Sequence, residues 1–223
     1  MTSTPTRGLL CIWTDIDPTH EADFNRWYDR EHMQERVAIP GFQNARRFTA
    51  INPCPRPYLA LYYTDSLDVF RSQVYARAFA NQTPWSRENF TRMRGTERRV
   101  GNLSAECGAG EGGALALFTL PAHQLVQSGT LTRLAESLRA MTQEEGVVRA
   151  TLFETDSALS TPVTANALPA AADALVMVEA TRAEAAFHHA ATLSTSLGLP
   201  GDAVYSFQAL WRLASTDLFS KET

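Results

Sequence analysis

Phe24-Asn-Arg-Trp27-Tyr28-Asp-Arg-Glu31-His32-Met-Gln-Glu-Arg36-Val-Ala-Ile-Pro40-Gly41-Phe42 is the stretch on which the rest of the chain is organised. It reads as one helix with a hard stop. Asp17 can accept a hydrogen bond at the first turn, and Pro18 suits the first helical position. Pro40-Gly41 ends the helix, because proline disfavours helical backbone at Ile39 and glycine permits the turn. The spacing thus predicts a helix over 18–39. Phe24, Tyr28, His32 and Arg36 follow at i, i+4, i+8 and i+12 and share one slanted line on its surface. The line starts aromatic and ends in imidazole and guanidinium, so His32 stands either at the edge of the core or in a polar pocket.

Trp27-Tyr28, Glu31-His32, Ile39-Pro40-Gly41-Phe42 and Ala45-Arg46-Arg47-Phe48 together resemble the EthD-like branch of the dimeric α+β barrel superfamily. Thr14-Asp15-Ile16-Asp17, the run Tyr58–Tyr63 and Thr83-Pro84-Trp85 fit the same pattern. The resemblance spans roughly residues 8–105 and extends to the second half only as an order of elements. It implies ferredoxin-like units whose sheets close into a barrel with helices outside, and a helix histidine, here His32, working as acid or base at a cavity.

The chain has 223 residues, 44% of them hydrophobic, enough for one large domain or two small ones. The net charge of −4 provides no basic field for nucleic acid. Residues 1–107 are near +2 and residues 108–223 near −6, and Lys221 is the only lysine. Almost every cation is therefore a guanidinium, which suits planar carboxylates and phenolates. Cys11, Cys54 and Cys107 are odd in number and far apart, with no zinc spacing. A reduced, cytoplasmic protein is the expectation. No signal core or membrane-length apolar run is present in the sequence.

Periodicity predicts strands at 9–15, 44–51 and 58–64, a helix at 67–79, further helical turns at 85–93 and a strand at 97–105. The order is βαββαβ, the split unit of ferredoxin-like domains. Gly108–Gly113 reads as a flexible linker. A second βαββαβ follows: strands at 114–120, 147–154, 174–180 and 203–213, helices at 131–141 and 183–197, and a loop at 159–169. The expected fold is α+β, two fused ferredoxin-like units forming an intrachain barrel. Residues 1–107 make the first unit, 108–113 the linker and 114–223 a degenerate second unit.

Strand alternation sorts the candidate site. Trp13 and Asp15 share one face of the first strand with Cys11, opposite Leu10 and Ile12. Arg46 and Phe48 share one face of the second. On the third, Tyr58, Ala60 and Tyr62 are assigned to a cavity between the sheets, and the leucines to the helix side. The catalytic set is then His32, Arg46, Tyr62 and Asp15, with Arg46 and Tyr62 holding an anionic or enolic oxygen. Trp13, Tyr28, Arg36, Phe48 and Trp85 shape the substrate wall. His188 and His189 are adjacent and diverge, so no metal site is expected, and no phosphate-binding or nucleophile motif occurs.

The sequence expectation is a cofactor-independent enzyme on a small carbonyl or aromatic metabolite. By resemblance, its reaction class is lyase, cyclase, dehydratase or isomerase. The alternatives are a non-catalytic binder of a hydrophobic metabolite, or a haem-binding barrel. Neither a nucleic acid nor a membrane is an expected partner, and the assembly is a monomer or a homodimer.

Overall fold

A computed structural model describes residues 6–160 and 172–218 of the chain. The first half contains β1 (Gly8–Ile16), β2 (Phe42–Ala50), β3 (Tyr58–Thr64) and β4 (Met93–Gly108). The second contains β5 (Ala114–Leu120), β6 (Val147–Thr155), β7 (Ala174–Ala180) and β8 (Tyr205–Ala214). They close into one barrel in the order β1-β3-β2-β8-β5-β7-β6-β4. Within it, each half repeats one arrangement, β4-β1-β3-β2 and β8-β5-β7-β6, and every pairing is antiparallel. The outer strand of each half finds its partner in the other half, through β2–β8 and β4–β6. Closure removes the sheet edges, which would otherwise present unpaired backbone groups. The fused double ferredoxin-like barrel expected from the sequence is therefore the fold.

Helices cover the outside. Residues 18–37 form one helical segment, α1, in four pieces: a 3₁₀ turn Pro18–His20, α-helix Glu21–Trp27, a π turn Tyr28–His32 and α-helix Met33–Val37. Asp17 accepts from the backbone N–H of Thr19 at 3.0 Å, as the capping pattern predicts. The π turn is marked by Met33 N–H donating to the Tyr28 carbonyl, five residues back. It has a physical use. In a regular helix each i+4 step overshoots a full turn by about 40°, so a four-member line drifts round the surface. The wider turn cancels part of that drift, and Phe24, Tyr28, His32 and Arg36 are all buried. After Pro40, Gly41 adopts φ +92, and a Cβ there would meet Val69 at 2.5 Å. Two further helices, α2 (Gln73–Ala80) and α3 (Pro84–Arg92), complete the first-half cover. In the second half, α4 (Thr130–Met141) and α5 (Ala183–Ser196) bury Leu134, Leu138, Ala186 and Ala190 against the sheet.

The barrel interior is a dry core. Leu9, Cys11, Trp13, Phe48, Leu59, Leu61 and Tyr63 meet Leu117, Phe153, Met177 and Phe207 from the second half. Two expectations are thereby corrected. The space between the sheets, expected to be an open cavity, is filled by side chains. On β3 the faces are inverted: Leu59, Leu61 and Tyr63 point inward, while Tyr58, Ala60 and Tyr62 face the helices. The small Ala45 and Ala60 leave room for Phe24 and Trp27 to seat on the sheet, and the tyrosines stand beside them with their polar tips toward α1. Tyr58 donates to Glu21 there in a short hydrogen bond.

Within 108–113, Gly108 and Gly112 allow close approach of the backbone. A Cβ on Gly112 would lie 2.6 Å from the Ala180 backbone. The Gly112 N–H donates to Glu179 at 2.9 Å, and its carbonyl accepts from Arg46 at 2.8 Å. The loop expected at 159–169 begins in a short helix, Ser157–Ser160, and from residue 161 lies outside the described residues.

Candidate functional site

The first-half helices do not seal against the sheet. Between α1, α2, α3 and the outer face of β1, β3 and β4 lies a cavity of about 260 Å³. Leu10, Ile12, Phe79, Phe90 and Met93 make its apolar wall, and its polar lining comprises Tyr28, His32, Arg36, Tyr62, Tyr75, Gln82, Thr96 and Arg98. No carboxylate is among the lining residues. Phe79 and Phe90, 42% and 40% exposed, stand partly in solvent. A cavity of this size lies just below the usual ligand range of about 300–1,000 Å³ and suits a compound of one or two rings.

His32 is 6% exposed. Its ring lies against Trp27 at 4.2 Å between centroids, tilted by 31°. Tyr28, Phe90 and Tyr62 approach it edge-on at 5.2, 5.7 and 6.3 Å. Trp27 is itself fixed, because its indole N–H donates to Ser86 on α3 at 3.1 Å. The neighbouring Glu31 accepts from Thr83 at 2.6 Å. Glu31 thus joins α1 to the start of α3.

His32 Nδ1 and Arg36 Nε, two buried polar atoms of cavity residues, have no hydrogen-bond partner, and the buried Tyr62 hydroxyl has the Tyr28 hydroxyl as its hydrogen-bonding neighbour. Buried polar groups are normally paired, so two orphans in one cavity mark a place where a polar ligand would complete the structure. Burial, followed by the nearby charges of Arg36 and Arg47, pushes the His32 imidazole well below its ordinary 6.5. Burial pushes the Tyr62 phenol well above 10, and Tyr28 beside it adds to the effect. At neutral pH the cavity therefore holds a neutral imidazole and a protonated phenol.

The depressed imidazole has a consequence for stability. Below pH 6.5 the unfolded chain takes up a proton on His32 that the folded chain refuses. Stability from this group is thus present above pH 6.5 and is lost as the pH falls toward the folded value, at up to about 1.4 kcal/mol per pH unit. A His32→Gln protein lacks that linkage. Between pH 6.5 and 5 its melting temperature should fall less than that of the wild type; identical slopes in calorimetry would show that the imidazole titrates normally.

Four of the residues selected from the sequence meet at this cavity: Tyr28, His32, Arg36 and Tyr62. The others are elsewhere. Trp13 and Phe48 belong to the barrel interior, and Trp13 donates to the Arg56 carbonyl at 2.7 Å. Arg46 is paired across the register with Leu61, on the opposite face from Tyr62, and bonds Glu179. It cannot share an oxygen with Tyr62. Asp15 follows a bulge in the β1–β4 pairing, and its carboxylate accepts from the Ile16 N–H at 2.8 Å. Trp85 donates to Asp23 at 3.0 Å and ties α3 to α1 outside the cavity. His188 is exposed, His189 half-buried, and no cluster of potential metal ligands occurs among the described residues.

Arg98, Tyr75, Gln82 and Phe90 were not foreseen. A signal for Arg98 existed in the pairing. Ile12 lies opposite both Ala60 and Arg98, so Arg98 shares the helix-facing side of the sheet.

No protein-family profile and no curated sequence matches the chain. Solved structures do match in fold. An anthrone oxidase-like protein superposes with a TM-score of 0.66 at 8% identity, covering 99% of this chain and 98% of that one. A provisionally named monooxygenase of Fusobacterium nucleatum gives 0.57 at 8% identity, covering 94% and 95%. A chlorite dismutase variant of Candidatus Nitrospira defluvii gives 0.50 at 10% identity, covering 99% and 95%. At these identities the likeness is one of architecture, and it places the chain among ferredoxin-like dimeric α+β barrel structures.

Proposed function

We propose that the helix-side cavity is the active site of an enzyme that moves a proton on a small aryl carbonyl compound, within the isomerase, cyclase, dehydratase or lyase class. The observation that carries this reading is the meeting, in one largely apolar cavity, of a neutral His32 imidazole whose Nδ1 has no partner and a protonated Tyr62 phenol. A neutral imidazole can accept a proton from an acidic C–H or O–H bond. A phenol held in its protonated form can donate a hydrogen bond to the oxygen on which charge develops. Burial of both groups strengthens both interactions. Returning the proton to a different atom completes an isomerisation or primes a dehydration, with no outside electron source or acceptor.

The unit formed by residues 1–107 carries this site in our reading, and 114–223 supplies scaffold. In support, every lining residue lies between Leu10 and Arg98. The EthD-like resemblance is part of the same proposal, because Tyr28 and His32 of that stretch line the site and Trp27 backs the His32 ring. The free cysteines suit a reducing, cytoplasmic setting, and no helix among the described residues is long and apolar enough to cross a membrane.

Haem fits the site poorly. His32 is the only imidazole lining the cavity, its ring is covered by Trp27 and flanked by three aromatic edges, and the space suits one or two rings rather than a macrocycle.

The test is proton exchange in D₂O, followed by NMR, on 2-tetralone and phenylpyruvate, two small aryl ketones with acidic C–H bonds. Catalytic amounts of protein should accelerate deuterium incorporation into at least one. Tight binding without acceleration of either would replace the enzyme with a non-catalytic binder.

A further inference from the structure

The charge inventory of the cavity points beyond proton transfer to the kind of molecule it takes. Arg36 is 6% exposed, and its Nη2 donates to the neutral Gln82 carbonyl at 2.8 Å. Its nearest carboxylate, Glu35, is 4.0 Å away, beyond hydrogen-bond reach, and burial followed by the Glu31 charge raises that carboxyl above its ordinary value. Arg98 is half-buried and likewise has only neutral partners, the Leu159 carbonyl at 2.6 Å and the Tyr75 hydroxyl at 3.1 Å. The other arginines withdrawn from solvent are matched differently. Arg46 meets Glu179, Arg47 meets Asp29, Arg92 meets Asp23 and Arg99 meets Asp173, while Arg149 stands between two carboxylates, Glu179 at 3.8 Å and Glu106 at 3.9 Å. Arg36 and Arg98, neither with a carboxylate in hydrogen-bond reach, line the same cavity.

A guanidinium taken out of water is costly unless an anion meets it. Gln82 cannot serve as one, and its side-chain amide is further held by the Ala78 and Phe79 carbonyls at 3.0 and 2.8 Å. Arginine presents a planar fork that matches a carboxylate or phenolate and also stacks on rings. The surrounding wall is aromatic and apolar.

We infer that the ligand of this cavity is an aromatic anion, a one- or two-ring compound with a carboxylate or ionised phenol, and that Arg36 and Arg98 select it by its charge. This rests on the helix-side cavity being the ligand site, and it adds Arg98 as a specificity residue. The charged group is a handle: it is bound by the arginines, while the carbon that exchanges its proton faces His32.

Calorimetric titration with 2-naphthoate and its uncharged counterpart 2-naphthamide tests this at low ionic strength. The naphthoate should bind at least about tenfold more tightly. Arg98→Gln, at a half-buried position that tolerates change, should reduce that preference, and Arg36→Gln/Arg98→Gln should abolish it. His32→Gln should preserve it, because the imidazole is neutral. Equal affinities in the wild type, a preference unchanged in Arg98→Gln and the double variant, or no binding of either compound at millimolar concentration would overturn the inference. Failure here is separable from failure of the enzyme reading. Anion preference without proton exchange leaves this assignment standing, whereas exchange without anion preference removes it and keeps the catalytic reading.

Discussion

His32→Gln is expected to slow deuterium exchange by about 10²-fold or more, the usual scale for a lost general acid or base, while the protein stays folded. Glutamine is the informative replacement. His32 is buried against Trp27, Tyr28 and Phe90, not half-exposed as its place among charged neighbours suggests. Truncation to alanine would open a cavity in that aromatic cluster and cost roughly 2–4 kcal/mol by analogy with other large-to-small core changes. It would mix lost chemistry with lost packing. Glutamine approximates the volume, keeps a polar end and cannot act as a base. Near-ultraviolet circular dichroism should therefore be preserved while the rate collapses. The wild-type rate should also hold at pH values somewhat below 6.5, since burial and the two arginines keep the imidazole unprotonated there. A folded His32→Gln protein with full exchange activity would remove His32 from the chemistry. A wild-type rate that halves near pH 6.5 would show an ordinary imidazole.

The sequence carried much of this architecture because its signals were local. The Asp17-Pro18 start, the Pro40-Gly41 stop and the alternation of β1 depend on neighbours a few residues apart. Strand β3 shows where local reading stops. Tyr58-Leu-Ala-Leu-Tyr-Tyr63 has two apolar faces, and hydrophobicity alone does not say which one meets helices. The answer depends on partners far along the chain. The interior leucines meet Leu117, Phe153 and Met177, whereas Tyr62 meets His32 from α1. Inverting that strand moved the expected site into the barrel and joined Tyr62 to Arg46, which lies on the other face. Tyr28, His32 and Arg36 survived the error because the spacing along one helix does not depend on the sheet. Arg98 was missed for the converse reason. Its role emerges only from the register that sets it opposite Ile12, 86 positions away in the chain.

Arg46, displaced from the site, acquires a structural role with a large expected effect. It leaves β2 of the first half and meets Glu179 on β7 of the second at 2.5 Å, and their side chains are only 4% and 3% exposed. The same carboxylate oxygen accepts from the Gly112 N–H, so one ion pair joins both halves and the segment between them. Burial opposes the Arg46 charge, and the Glu179 carboxylate outweighs it, keeping the guanidinium firmly protonated. Glu179→Gln leaves that cation buried with only Glu111, at 3.7 Å, near it. Breaking a buried pair in this way costs about 3–5 kcal/mol. At roughly 2–4 °C per kcal/mol for a chain of this size, the melting temperature should fall by about 6–20 °C. The double change Arg46→Met/Glu179→Met should recover most of that loss, because it removes both charges from an apolar enclosure where their attraction only offsets the cost of leaving water. Recovery would identify the pair as a device for matching the two halves rather than a source of net stability. A single variant that melts within about 2 °C of wild type would show instead that water or Glu111 reaches Arg46, and that the halves are held by the barrel core and strand pairing alone.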